Sequence, residues 1–279
     1  MTIGLFHKVS QECSKVVTVH YSTSFSSAIK LLHRDLRTPI FNIYGLVRFA
    51  DEIVDTFHGH DKQLLLEAFK KDCFDAIEKK ISLNPVLNSF QQTVNHYGID
   101  HELIHAFFRS MESDLTQYKY DRQGYDEYIY GSAEVVGLMC LYVFCEGDKI
   151  LYEKLKGSAR ALGAAFQKVN FLRDIQSDFN DLSRVYFPGC DFHNFTERDK
   201  QEIEHDIEQD FRNAFDGIIQ LPMKARFGVY VAYKYYYSLF QKIKSIHPRH
   251  ILQKRIRIPN YHKAYIVFRA SVKNGLRLI

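Results

Sequence analysis

Apolar residues along this chain recur at the three- and four-residue intervals of helices, and no alternating, strand-like run lasts more than a few residues. Pro39, directly after Thr38, is read as opening a helix through Tyr44, Val47 and Val54, because proline fits a first turn. His58-Gly59-His60-Asp61 closes it, and Asn84-Pro85 and Tyr97-Gly98 mark the next breaks. The stretch from Tyr125 to Glu146 is apolar on most faces (Val135, Leu138, Met139, Leu141, Phe144) and predicts a buried central helix. A second long helical pattern covers Leu151 to Leu182 and stops near Tyr186-Phe187-Pro188-Gly189. An acidic helix from Glu197 to Asp216 and an aromatic one from Tyr230 to Phe240 follow. No linker rich in Gly, Ser or Pro divides the chain and no repeat is evident, so the expectation is one all-α domain over residues 1–279.

Composition agrees. Of 279 residues 46% are apolar, enough for a sizeable core, while 14 Gly and 6 Pro are too few for a loop-rich or all-β protein. Cys13, Cys73, Cys140, Cys145 and Cys190 form no CxxC pair and are odd in number, which points to reduced thiols in a cytoplasmic protein. No signal pattern stands at the N-terminus and no uncharged apolar run reaches spanning length, so the protein is expected to be soluble, which still allows it to rest on a membrane. Charge is polarised: residues 1–216 carry 24 Lys/Arg against 33 Asp/Glu, whereas residues 217–279 carry 13 Lys/Arg and no acid. Such a tail suits phosphates or anionic lipid as well as a solvated helix face. Nucleic acid is not expected, because no reader motif accompanies the charge.

Two helices carry aspartates at helical spacing. In Arg48-Phe-Ala-Asp51-Glu-Ile-Val-Asp55, the two aspartates project from nearly one face, since a helix turns about 100° per residue. In the second, Asn170, Asp174 and Asp178 form an i, i+4, i+8 ladder with Gln167 one turn earlier. Like charges at i, i+4 cost an isolated helix roughly a few tenths of a kcal/mol, so each cluster calls for a cation. Mg²⁺ fits, as it prefers carboxylate oxygens and commonly bridges them to phosphates. Two such helices facing each other would hold metal on both sides of a diphosphate and draw off charge as a C–O bond breaks. A single DxxxD pair is common on solvated helix faces; the second cluster, inside an apolar helix, is harder to dismiss.

Arg48-Phe-Ala-Asp-Glu-Ile-Val-Asp55 and Gln167-x-x-Asn-x-x-Arg-Asp-x-x-x-Asp178 resemble the two signatures of the squalene/phytoene synthase family. Supporting pieces stand in order: Tyr21-Ser-Thr-Ser-Phe25, Ile40-Phe-Asn-Ile-Tyr44, Tyr128 ahead of Val136-Gly137, and Arg184-Val-Tyr-Phe-Pro188. The likeness runs from about residue 18 to about 270. It implies a single-domain isoprenoid synthase fold with helices around a central cavity. It implies as activity the Mg²⁺-dependent (or Mn²⁺-dependent) head-to-head joining of two prenyl diphosphates through a cyclopropyl diphosphate. By the same resemblance, Asp51 and Asp55 serve metal for one diphosphate, and Asn170, Asp174 and Asp178 for the other, with Gln167 near the reacting centre. Ser24, Tyr44, Arg48 and Arg173 are implied as diphosphate contacts, with Tyr128 and Tyr186 near the leaving group. Tyr236 and Arg255 fill the C-terminal contacts, with Tyr235 and Arg257 as alternatives. Many members have a basic residue where this chain has Thr23, which removes one phosphate contact.

Because allylic cations are destroyed by water, such a cavity must be dry, and aromatic faces can stabilise the passing charge. With 22 Phe, 18 Tyr and no Trp, phenyl and phenol rings must supply that lining. Within the family, the Asp-Glu-Ile-Val-Asp wording and short chain favour phytoene synthase, acting on geranylgeranyl diphosphate. The alternative is a squalene or dehydrosqualene synthase acting on farnesyl diphosphate, with NADPH needed only for squalene.

Three rival features remain. His101-Glu-Leu-Ile-His105 matches the HExxH pattern of zinc peptidases, with Glu134 as an available third ligand, but lacks the metzincin continuation. A non-catalytic helical protein resting on a membrane through its basic tail is the remote functional alternative. Tyr230, Tyr233, Tyr235, Tyr236, Tyr237 and Phe240, interleaved with Lys234 and Lys242, form either an amphipathic membrane contact or a packed helix over the cavity; the packed helix is favoured.

Overall fold

The computed structural model describes residues 2–117, 119–180, 185–190, 194–252 and 255–275, with the backbone alone for 177–180. Thirteen α-helices lie among the described residues, with no strand beyond one isolated bridge between Lys119 and Val185. The all-α expectation is met.

Local sequence chemistry sets the helix ends. Helix α1 (Ile3–Tyr21) and the short α2 (Thr23–Ile29) precede α3 (Arg34–Thr56), which carries the first aspartates. Helix α3 begins five residues before Pro39 rather than at it. The ring removes only the N–H that would reach the carbonyl of exposed Asp35, where water can substitute, so the helix passes through. The Asp61 carboxylate accepts from Leu64 N to start α4 (Lys62–Lys79), and Asn84, followed by Pro85 at the first helical position, starts α5 (Pro85–Tyr97). Gly98, at φ 63°, supplies the left-handed residue that ends α5 where the sequence placed a break. Asp100 caps α6 (His101–Asp114), which contains the HExxH residues; there His105 stacks on Phe74 with ring centroids 4.1 Å apart. Among the described residues no cluster of three or more His, Cys, Asp or Glu could hold a zinc ion, and Glu134 instead pairs with Arg160.

The predicted central helix is continuous but not uniformly α. Helix α7 (Arg122–Ile129) runs through a π-helical turn (Tyr130–Glu134) into α8 (Val135–Cys145), of which nine residues are buried. Arg122–Cys145 is the one stretch among the described residues long and apolar enough to cross a membrane. Here it packs against α3, α6 and α9 (Lys149–Asn180), so its apolar faces meet protein. Two glycines allow its close approach to α9. A Cβ on Gly163 of α9 would fall 2.5 Å from the Ala133 carbonyl oxygen, and one on Gly137 of α8 would fall 2.8 Å from that of Ala159.

Helix α10 (Glu197–Ile218), opened by a Thr196/Asp199 capping box, packs along α9. Helix α11 (Met223–Lys244) packs on α2, α9 and α10 and buries Tyr230, Tyr233, Tyr235 and Phe240, so the packed-helix reading of the aromatic stretch holds. The short α12 (Pro248–Ile251) and α13 (Asn260–Gly275) complete the chain, α13 lying on α11.

Helix α1 inverts the usual pattern. Its buried face is polar (Ser10, Ser14, Thr18), while Ile3, Leu5, Val9 and Val16 are about half exposed. The buried face makes a hydrogen-bonded seam: Ser14 and Ser89 hydroxyls lie 2.6 Å apart, Asn88 donates to Ser10 at 3.0 Å, and Thr18 donates to the Phe41 carbonyl at 3.3 Å. Buried hydroxyls that find partners contribute about 1 kcal/mol each, so the seam can replace an apolar one.

The two α9 glycines make a contrasting prediction. Gly163→Ala should lower stability by about 1–3 kcal/mol through overpacking against the π-helical turn that leads into α8. Gly157→Ala, where nothing lies within 4 Å, should raise it by about 0.5–1 kcal/mol. Chemical denaturation of both variants checks the pair.

Candidate active site

A cavity of about 620 Å³ runs through the helix bundle, within the range of small-molecule sites. Helix α9 lines it from Leu155 to Asp174; the nineteen steps between them at about 1.5 Å each make that wall nearly 30 Å long. Its inner face changes character along the way, from Leu155, Ala159 and Leu162 to Gln167, Asn170 and Asp174. Helix α3 supplies the matching wall at helical spacing, through Ile40, Tyr44, Arg48, Asp51 and Asp55. The two aspartate motifs, some 120 residues apart in sequence, thus line one cavity at its polar end.

Asp51 records the electrostatic consequence. Burial pushes its carboxyl up to about 7; Arg48 opposes the shift, and the neighbouring Asp55, Asp114 and Glu52 reinforce it. Arg48 is shared, reaching Asp51 Oδ2 at 3.5 Å and Glu52 Oε2 at 3.2 Å, with its guanidinium 4.6 Å from the Tyr21 ring centroid. On the opposite wall Asp174 is held by two guanidiniums: Arg173 Nε donates to Oδ1 at 3.0 Å, and Arg255 Nε lies 2.8 Å from the same oxygen. Arg255 comes from the segment between α12 and α13, so the C-terminal region places a cation over the second aspartate helix. The Tyr236 phenol sits against the Asn170 amide and the Arg173 guanidinium, and its ring stacks on Phe166 at 3.9 Å.

Aromatic rings occupy the border between the polar and apolar ends. Tyr128 donates to Asp114 Oδ2 at 2.8 Å, and burial together with that carboxylate holds its phenol well above the usual range. Phe171 and Tyr186 stack in parallel at 3.9 Å, and Tyr128 lies 5.4 Å from Tyr186. Tyr44 packs on Phe25 at 4.1 Å, and its hydroxyl hydrogen-bonds the Cys140 thiol.

Of the residues expected from sequence, Asp51, Asp55, Gln167, Asn170, Asp174, Tyr44, Arg48, Arg173, Tyr128, Tyr186, Tyr236 and Arg255 all line this cavity. Ser24 does not; the same segment presents Tyr21, Ser22 and Phe25 instead, because α2 turns Ser24 off the cavity face. Tyr235 is buried away from the cavity and Arg257 is absent from its wall, leaving Tyr236 and Arg255 from those pairs. The side chain of Asp178, and Arg184, lie outside the described residues. Asp114 was missed. It carried one signal, an acid on the last residue of a helix, where the dipole disfavours negative charge. Ser132 and Cys140 were missed too, since nothing in an apolar helix distinguishes residues facing a cavity from residues facing a core.

The donors present fit a divalent oxygen-loving ion. Asn170 Oδ1 is buried and accepts no hydrogen bond, and the carboxylates of α3 repel one another. Among the described residues no three acidic, His or Cys groups cluster tightly enough to hold an ion alone. The remaining ligands would come from water and phosphate, the usual coordination of Mg²⁺. Carboxylates, guanidiniums and a bare amide oxygen at one end thus suit a polyphosphate with its metal, and the apolar length beyond suits a hydrocarbon chain.

The Asp51 shift has a measurable consequence in metal-free protein. The folded carboxyl titrates near 7 rather than near its ordinary 3.8, so between those values the folded state binds the extra proton. Stability should therefore fall as pH rises through that window. With Asp51 still 30% exposed, screening leaves on the order of 1 kcal/mol. In chelator, Asp51→Asn should abolish this fall and melt above wild type at pH above neutral, as thermal scans across the window would show.

The chain resembles known proteins along most of its length. The family profile described as squalene/phytoene synthase matches residues 18–262. The 4,4'-diapophytoene synthase of Staphylococcus haemolyticus is 26% identical over 70% of this chain and 68% of its own length. Phytoene synthase 1, chloroplastic, of Solanum lycopersicum is 26% identical over 87% of this chain and 63% of its own. The match to the presqualene diphosphate synthase of Rhodopseudomonas palustris, 28% identical, covers 61% of this chain and 60% of that enzyme, so the chain spans less than two thirds of two of these three relatives. A dehydrosqualene synthase crystal structure superposes with a TM-score of 0.83 over 98% of both chains at 17% identity. A squalene synthase from Alicyclobacillus acidocaldarius gives 0.75, covering 88% of this chain and 95% of that one at 18% identity. The fold is therefore the all-α isoprenoid synthase fold. With its signatures, fold and matched length in agreement, the chain belongs to the squalene/phytoene synthase family of enzymes.

Proposed function

We propose that this protein joins two molecules of geranylgeranyl diphosphate head to head, through a cyclopropyl diphosphate, to give phytoene, within one catalytic domain. The observation that carries the reading is the convergence of both aspartate helices on the polar end of one long, otherwise apolar cavity. The tomato phytoene synthase, matching along 87% of this chain, supports the substrate class.

In this reading Asp51 and Asp55 hold Mg²⁺ (or Mn²⁺) for one diphosphate, and Asn170, Asp174 and Asp178 hold it for the other. When bound, the metal supplies Lewis-acid stabilisation of the leaving diphosphate. The chain's own groups do the rest. Arg48, Arg173 and Arg255, which face carboxylates in the resting site, have guanidinium forks that suit phosphate oxygens. Tyr236 and Asn170 orient the same diphosphate. Gln167 stands one turn from Asn170, towards the apolar end, where the reacting carbons would lie. Phe171, Tyr186, Tyr128 and Tyr44 present ring faces or edges to the cationic carbons and exclude water. Tyr128 keeps its proton, because burial and Asp114 oppose its loss, so no phenolate competes for the cation.

One specific observation favours a second reading. The S. haemolyticus relative is a 4,4'-diapophytoene synthase, which favours farnesyl diphosphate as substrate. Incubation with each diphosphate and Mg²⁺, with and without NADPH, followed by product mass, separates the two. A C40 hydrocarbon from geranylgeranyl diphosphate without reductant is the expected result. A C30 product from farnesyl diphosphate alone would replace it, and dependence on NADPH would make it squalene.

Asp51→Asn and Asp178→Asn should each lower turnover by at least about a thousandfold with helicity unchanged, since they remove charge stabilisation realised in the transition state. Steady-state kinetics with circular dichroism checks this, and near-normal turnover in either variant would remove the metal assignment.

A further inference from the structure

Helix α13 is apolar on two opposite sides. Ile266 and Ala270 are buried on the side that meets α11. Facing the other way, Tyr261, Tyr265, Phe268 and Val272 are 77, 54, 66 and 47% exposed. At about 100° per residue these four fall within a 60° stripe, centred opposite the buried pair. A solvated helix normally puts charge there, and scattered apolar residues would not align over three turns.

The flank of the stripe is cationic. Arg269 and Lys273 lie on one side of it, with the Arg269 guanidinium 5.7 Å from the Tyr265 ring. Beneath them on α11, the Lys234 ammonium lies 5.3–5.6 Å from the rings of Tyr230, Tyr233 and Tyr237. Burial and the two cations above it depress the Lys234 pKa, so the positive field there is felt. Neither α11 nor α13 carries an acid of its own, as residues 217–279 contain none.

We propose that the outward face of α13 docks this protein on an anionic lipid surface, with Tyr261, Tyr265, Phe268 and Val272 entering the headgroup region and Arg269 and Lys273 meeting lipid phosphates. The helix then lies in the plane of the interface, the geometry that an apolar stripe flanked by basic residues takes up. Phenol rings at its N-terminal end suit the boundary between hydrocarbon and water.

Flotation of the full chain with vesicles tests this, using phosphatidylcholine alone and phosphatidylcholine mixed with phosphatidylglycerol. Wild type should float with the anionic vesicles and largely remain behind with the neutral ones. Arg269→Glu with Lys273→Glu should weaken anionic binding on the order of tenfold or more, an effect that high salt erases. Tyr265→Ser with Phe268→Ser should weaken it at both low and high salt, because the apolar contribution is not screened. Ile150→Ser, which removes an isolated exposed side chain 86% open to solvent, should bind as wild type does. Melting temperature and turnover measured without vesicles should match wild type in every variant, which separates docking from folding and catalysis. The proposal is overturned if wild type fails to float or if the Tyr265/Phe268 variant floats as well as wild type. It is also overturned if sedimentation finds a dimer that Phe268→Ser dissociates, or if a single-stranded oligonucleotide displaces the vesicles.

Discussion

Carboxylates withdrawn from bulk water repel one another and seek cations, and at the polar end of this cavity Asp51, Asp55 and Asp114 face that condition together. Protein groups answer it only in part. Arg48 is divided between Asp51 and Glu52, while Arg173 and Arg255 converge on Asp174 across the cavity. In the proposed reading, a divalent ion with phosphate would complete this charge balance, and the stability given up there is the usual cost of a preorganised site. Aromatic neighbours such as Phe171 and Tyr186 take up space that water would otherwise fill beside those charges.

The apolar length beyond the charges depends on helix spacing. Gly137 lets α8, and Gly163 lets the π-helical turn at Tyr130–Glu134, touch α9 backbone to backbone, and that turn joins Tyr128, which anchors on Asp114, to the cavity-lining face of α8. Wide turns of this kind recur at functional sites because they re-aim side chains without ending the helix. One continuous element thereby serves both ends of the cavity.

Helix class and most boundaries were legible because helical periodicity and capping are local. Asn84-Pro85 and Tyr97-Gly98 marked the ends of α5 correctly, and the aspartate ladders were visible at i, i+4. Pro39 misled, since the residue one turn earlier, Asp35, is exposed and water can replace the lost bond there. Features set by tertiary contact stayed hidden. Asp114 joins the site from the end of α6, Ser24 turns aside while Ser22 does not, and the Ser10/Ser14/Thr18 face of α1 is enclosed although it is polar. Position on a helix face is written in sequence; the choice between core, cavity and solvent is made by neighbours far along the chain.

That enclosed face of α1 has a consequence of its own. Greasy surfaces can slide past one another with little penalty, but hydroxyl-to-hydroxyl and hydroxyl-to-carbonyl bonds match only at one setting. Ser14 on Ser89, Ser10 on Asn88 and Thr18 on Phe41 therefore act as teeth that key α1 against α3 and α5. Moving the helix by a single turn would unseat all three at once, and with them Tyr21, whose ring lies under the Arg48 guanidinium. A row of small alcohols at the edge of the bundle thus indexes the cation that stands beside the first aspartates.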